Sequence, residues 1–215
     1  NVKKFDGKKL RKLKLSEIGQ IAGRAGRYLN DGNFGITGEC KEINAEEINL
    51  LENHKFEEIR FLFWRNSNLN FNNPSALIKS LDEKPKKGWL RKIHECEDEK
   101  ALKFFLRDKN FENVDFNEQK LNLLWECCQI PDFVKKTYGN HYEVIFNVFK
   151  YLNSEKGKIS DDYMRLQLIK LDKLEGNVDS LSNRIANVRT WSYVSNKNNW
   201  IENQNYWIEK TKLLE

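Results

Sequence analysis

The 215-residue chain carries 37 Lys and Arg against 32 Asp and Glu, a formal net charge of +5. With 39% hydrophobic residues, and with 13 Phe, 7 Tyr and 6 Trp, it is too rich in core-forming side chains for a disordered segment. It is long enough for one large domain or two small ones, and its mild positive charge permits an acidic partner such as nucleic acid without demanding one.

No run of about eighteen apolar residues is present to cross a membrane. Asn1-Val2-Lys3-Lys4 ahead of Phe5-Asp6-Gly7 is no signal peptide. Cys40, Cys96 and the adjacent Cys127-Cys128 form no Cys-x-x-Cys pair, which fits a reduced, cytoplasmic setting. His94-x-Cys96 has no second pair to complete a tetrahedral site, so no metal is expected. The missing initiator Met is expected of a chain that begins in the middle of something larger.

Taken in order, Val2 to Phe5 reads as a strand, Asp6-Gly7 as a tight turn, and Leu10 to Leu15 as the return strand, with Leu13 and Leu15 on one face. Ser16 is placed to cap a short helix carrying Ile18, Ile21 and Ala22 and ending near Gly23 or Gly26. Asp31-Gly32 turns the chain, and Phe34-Gly35-Ile36-Thr37-Gly38 reads as a short strand. Asn44-x-x-Glu47 is a capping-box signature ahead of Ile48 and Leu51 and predicts a helix over 45–54. Residues 1–54 thus read as mixed α and β.

Residues 55–215 read as all-α. Ile59 to Trp64 is a dense apolar stretch that fits either a strand or a buried helix. Asn73-Pro74 starts a helix through about Leu81, which Pro85-Lys86-Lys87-Gly88 breaks. Further helices are predicted near 97–108, 118–129, 140–153, 161–174, 178–196 and 203–214. Leu121, Leu124, Trp125 and Cys128, and then Tyr142, Ile145, Phe146 and Phe149, recur at helical spacing as inward-facing stripes. Trp200 and Trp207 are expected to pack the last helices.

The segment Gln20-Ile21-Ala22-Gly23-Arg24-Ala25-Gly26-Arg27 sets two arginines three residues apart among small residues. Glycine and alanine keep the backbone bare, and two guanidinium forks suit a polyphosphate. The same residues also describe a basic helix end with a glycine stop.

Gln-x-x-Gly-Arg-x-Gly-Arg, preceded by a hairpin and short helix, resembles motif VI of superfamily-two helicases. The longer string Glu17 to Tyr28, followed by Gly35-Ile36-Thr37, is similar to DExH RNA helicases of the mitochondrial degradosome (suppressor-of-Var) type and their bacterial relatives. The Lys4-Phe5-Asp6-Gly7 hairpin, Leu123 to Asp132 and Arg184 to Tyr193 resemble the same group, so the resemblance spans most of the chain. It implies that Arg27 is the arginine finger reaching the γ-phosphate of ATP held by a preceding RecA-like domain. It implies further that Arg24 is the companion on the phosphates or domain interface, that Gln20 is the amide beside the nucleotide or attacking water, and that Gly23 belongs to the nucleotide-binding segment. A fixed guanidinium at the γ-oxygens contributes on the order of 10³–10⁵ in rate.

No Gly-x-x-x-x-Gly-Lys-Ser/Thr loop and no Asp-Glu-x-His sequence occurs in these 215 residues. The resemblance implies that both lie in a first RecA-like domain. The chain is then the tail of the second RecA-like domain (1–54) followed by a helical accessory region (55–215). ATP and Mg2+ would serve the parent protein, with none bound to this fragment, which alone should not hydrolyse ATP. The remaining hairpin and strand would have to lean on the helical region, pair with another copy, or stay loose.

Other clusters have weaker claims. Arg184, Arg189, Trp191 and Tyr193 place cations beside aromatics, as a base-stacking surface would; the same spacing allows Trp191 and Val188 to be core. Lys84, Lys86, Lys87, Arg91 and Lys92 around Trp89 form the densest basic stretch, which is also an ordinary solvated loop. Lys8, Lys9, Arg11, Lys12 and Lys14 lie on the hairpin, where edge lysines discourage sheet pairing. Asp161-Asp162 and Glu57-Glu58 read as exposed helix starts. The leading expectation is part of an ATP-dependent motor moving along single-stranded RNA, or DNA, with a ribonuclease among its candidate partners and no membrane. The alternative is a non-enzymatic helical module binding nucleic acid or protein, and a third reading is an interaction scaffold.

Overall fold

The computed structural model describes residues 3–5, 9–26, 30–38, 40, 42–94, 96–111, 114–135, 138–173 and 175–215. The chain divides into two compact units, Asn1–Leu62 and Phe63–Glu215. Helices dominate, and among the described residues the strands form only two two-stranded sheets.

In the first unit β1 (Lys3–Phe5) and β2 (Leu10–Lys12) form an antiparallel hairpin in the register Lys3↔Lys12, Lys4↔Arg11 and Phe5↔Leu10. The Asp6-Gly7 turn, with Val2 and Lys8, lies outside the described residues. Cations directly opposite one another repel; here two carboxylates answer them. Arg11 donates to both oxygens of Glu17, from Nη1 at 2.7 Å and from Nη2 at 2.8 Å, and Lys4 Nζ stands 3.6 Å from the same carboxylate. Lys12 Nζ reaches Glu47 at 3.4 Å.

Glu17 also sets where the next helix begins. Its carboxylate accepts the Lys14 N–H at 2.9 Å, so α1 runs Leu15–Ala22 with Lys14 as the cap. Two expectations are corrected by this. Ser16 is inside the helix instead of capping it, and the return strand stops at Lys12, leaving Leu15 to open the helix. Helix α2 (Ala45–Glu52) follows the predicted capping box, with the Glu47 N–H donating to Asn44 Oδ1 at 2.7 Å. It ends in a Schellman motif: the Lys55 N–H donates to Leu50 O (2.8 Å) and the His54 N–H to Leu51 O (3.2 Å). His54 takes the left-handed position at φ 51°. Gly19 lets α1 and the chain after α2 approach, since a Cβ there would stand 2.6 Å from Phe56 Cζ. The expected strand at Phe34–Gly38 is absent; a strand needs a ladder, and among the described residues no segment pairs with this one.

The division between units falls inside β3 (Leu62–Trp64), so the ambiguous apolar stretch ends as a strand. It pairs with β4 (Leu90–Lys92), a strand the sequence did not suggest. Between them lies α3 (Pro74–Leu81), capped by Asn73, whose side chain accepts the Ala76 N–H at 2.8 Å. The remaining helices are α4 (Glu97–Phe105), α5 (Glu118–Cys128), α6 (Tyr138–Leu152), α7 (Asp161–Ile169), α8 (Val178–Ser195) and α9 (Gln204–Leu214). Both predicted stripes face inward. Leu121, Leu124, Trp125 and Cys128 are buried, as are Ile145 and Phe149, while Tyr142 and Phe146 pack partly buried against the same core.

Two joints fix the last helices. Ile159, between α6 and α7, and Ile201, between α8 and α9, form a parallel bridge: the Ile159 N–H donates to Trp200 O (2.8 Å) and the Glu202 N–H to Ile159 O (3.2 Å). Asp161 then receives the indole N–H of the buried Trp207 at 2.7 Å and a second bond from the Asn203 amide. Trp200 and Trp207 are core, as expected, and Asp161 is more than an exposed helix start. Arg65 is a third anchor. It donates to Asp98 at 2.8 Å, stands 3.5 Å from the buried carboxylate of Glu99, and lies over the Trp125 ring at 5.0 Å. Burial pushes the Glu99 carboxyl up from its ordinary value. Among the described residues no helix is long and apolar enough to cross a membrane.

Candidate functional site

The Gln20–Arg27 segment begins on the last turn of α1, where Gln20 is exposed. Gly23 caps the helix in right-handed geometry (φ −66°, ψ −5°), its N–H donating to Gly19 O at 2.8 Å. The chain then tightens: the Arg24 N–H donates to Ile21 O (3.2 Å) and the Ala25 N–H to Ala22 O (3.0 Å). This turn delivers Arg24 into solvent one turn beyond Gln20, and neither side chain has a partner among the described residues.

Beyond it the backbone closes on itself. A Cβ on Gly32 would collide with the Ala25 carbonyl group and Gly26 N, and one on Gly26 with Asn30 O. Only glycine fits at both positions, because backbone meets backbone. In the sequence Asp31-Gly32 reads as a turn; the other role of Gly32, as the seat for Ala25 and Gly26, is a contact across the loop that local patterns do not encode. Arg27 and Tyr28 lie outside the described residues.

Chemically, the exposed pair Gln20 and Arg24 offers an amide and a guanidinium to an anion. Gly32 also lines a cleft of about 520 Å³ with Phe34, Ile36, Ile43, Ile48 and Glu52, whose apolar and acidic lining is unsuited to phosphate. Among the described residues no group of three or more His, Cys, Asp or Glu side chains converges to hold a metal. His94 and Cys96 bond locally instead, Cys96 Sγ lying 3.7 Å from His94 O.

The second cluster is dispersed. Trp191 is buried at 3% exposure, edge-on to Tyr163 with ring centroids 5.9 Å apart, so its faces are inside the core. Arg184 Nε donates to Leu171 O at 2.7 Å, tying α8 to the end of α7. Arg189 Nε pairs with Glu215 at 2.7 Å on the surface. Tyr193 is partly buried beneath Lys197, whose ammonium sits 5.2 Å from its ring and 5.7 Å from that of Trp200.

The basic stretch is a surface feature. Lys86, Lys87 and Arg91 are exposed, Lys87 Nζ lies 5.3 Å from the centroid of Trp89, and Trp89 is half exposed. Lys92 is engaged with Asp82 at 2.8 Å. Comparison with family models, with curated proteins and with solved structures returned no match.

Proposed function

We propose that the chain is the carboxy-terminal portion of an ATP-dependent helicase acting on RNA or DNA, contributing the motif VI arginines and a helical region that guides the strand. The observation that carries this reading is the Gln20–Arg27 segment itself. Its small residues form a helix end and a backbone-to-backbone closure at Gly26 and Gly32, and its polar residues Gln20 and Arg24 project into solvent. A helix stop needs one glycine, whereas a device presenting cations to a phosphate on a separate domain needs a bare backbone and unengaged side chains.

In this reading Arg27 and Arg24 stabilise charge developing on the γ-phosphoryl oxygens and Gln20 orients the attacking water, while a preceding RecA-like domain of the same protein holds ATP and Mg2+. The first unit is then the tail of a second RecA-like domain, in keeping with its mixed α and β content, and the whole protein works in the cytoplasm.

The test is ATP turnover in two forms of the protein. The 215-residue chain alone is expected to show none. The parent reading frame is expected to encode a Walker loop and Asp-Glu-x-His upstream, and its product to hydrolyse ATP in a strand-stimulated manner. Arg27→Ala is expected to lower that turnover by on the order of 10³-fold. Hydrolysis by the isolated chain above an Arg27→Ala control, or an initiator Met immediately before Asn1, overturns the reading in favour of a non-enzymatic binding module.

A further inference from the structure

The surface of α4 carries a second cationic device, separate from the Gly-Arg segment and from the basic loop. Lys100, Lys103 and Arg107 recur at intervals of three and four, so they share one face. After Phe105 the helix tightens through the Arg107 N–H to Phe104 O and Asp108 N–H to Phe105 O bonds, both 3.1 Å, into a 3-10 turn at Lys109–Phe111. The tightening keeps Arg107 and Lys109 on the same flank. These four cations and Phe104 line an open cleft of about 790 Å³, in which Asp82 and Asp108 are the acidic members. Asp82 is already engaged by Lys92, and that hydrogen bond holds its carboxyl below the ordinary value. Among the described residues that line it, and with Lys92 counted, five cations meet two carboxylates.

Phe104 is what makes the cleft more than a charged patch. Its ring lies 4.6 Å from that of Tyr142, tilted by 33°, and 5.3 Å from that of Phe105, edge-on at 80°. Two neighbours thus hold the ring in place, yet 45% of the residue is exposed. A fixed, half-open aromatic ring between cations is the arrangement on which an unpaired base stacks while its phosphates are neutralised. The face from Lys100 to Arg107 spans about 10 Å along the helix, room for more than one phosphate.

We propose that this cleft binds the phosphate backbone of a single nucleic-acid strand, with one base stacked on Phe104. The ligand is chosen by the Phe104 platform and the charge excess, independently of motif VI. Because its test uses no ATP, it stands or falls separately from the motor reading.

The experiment is fluorescence anisotropy of the whole chain with labelled oligo-uridine and oligo-thymidine across a salt series. Removing three phosphate contacts in Lys100→Ala/Lys103→Ala/Arg107→Ala is expected to weaken binding at least tenfold and to flatten the log–log salt slope by about 2. Phe104→Leu keeps apolar volume against Tyr142; it is expected to weaken binding about fivefold or more with the slope unchanged. A charge-matched control lacking Lys150, Lys156 and Lys212 is expected to bind as wild type. Far-UV circular dichroism melts confirm that each variant is folded. No strand binding by the wild type, an unchanged slope in the triple variant, or equal weakening in the control overturns the proposal. So does polyglutamate competing as well as the strand while Phe104→Leu binds as wild type.

Discussion

Glu17 joins three parts of the first unit at one carboxylate: the hairpin through Arg11 and Lys4, the helix start through the Lys14 N–H, and so α1 itself. The hydrogen bonds from the Arg11 guanidinium, with that of the Lys14 N–H, lower its pKa from the ordinary 4.5 to about 2. A depressed carboxyl contributes stability that is present above its unfolded value and lost as pH falls through the folded one. The first unit is therefore expected to lose stability between about pH 4.5 and about pH 2. Glu17→Gln should remove that acid limb, as followed by acid titration in far-UV circular dichroism. Cysteine accessibility gives a second test. Burial pushes the thiols of Cys127 and Cys128 far above their ordinary range, whereas Cys40 and Cys96 are partly exposed. A maleimide should label two thiols in the native chain and all four only after denaturation, counted by mass spectrometry.

Elements were most legible where a local signal decides them. Asn44 and Asn73 cap the helices they were expected to cap, and the stripes on α5 and α6 face the core, because capping and helical periodicity act within a few residues. What local patterns could not show are partners that only the path of the chain brings together: Arg11 with Glu17, Asp161 with Trp207, Gly26 with Gly32, and the pairing of β4 with β3. The missing Phe34 strand is the same lesson reversed, a local pattern with no partner to complete it. At the end of α2, His54 occupies a left-handed position that favours glycine. His54→Gly is expected to stabilise the first unit by about 0.5–1 kcal/mol, in spite of losing the edge-on contact with Phe56, and chemical denaturation would measure it. On α8 the two arginines should behave differently. Arg184→Ala removes a part-buried bond to Leu171 O and should cost about 1 kcal/mol. Arg189→Ala breaks only an exposed pair and should cost under about 0.5 kcal/mol. Arg189→Ala is thus the cleaner probe of whether that helix takes any part in strand binding.

At the scale of the molecule, the two units differ in how they are held. Among the described residues the first has a single buried hydrophobic side chain, Leu51, and relies on ion pairs and caps; the second owns the contiguous core. Arg65 is the polar keystone of that core. Arg65→Ala strands the buried Glu99 carboxylate and is expected to cost about 3 kcal/mol, read from a chemical melt of the second unit. The Gly-Arg segment stood out in the sequence because its residues are contiguous. The cleft on α4 did not, because its lining is assembled from α3, α4 and the turn beyond.

The division at Leu62 also decides what light can report. All six tryptophans, from Trp64 to Trp207, lie in the second unit, and the first has none. Indole emission therefore has no reporter within the hairpin, α1 or the Gly-Arg segment. A melt recorded by tryptophan alone reads the surroundings of residues in the helical unit. A tryptophan introduced at Phe56, against Gly19, would give the other unit a signal of its own.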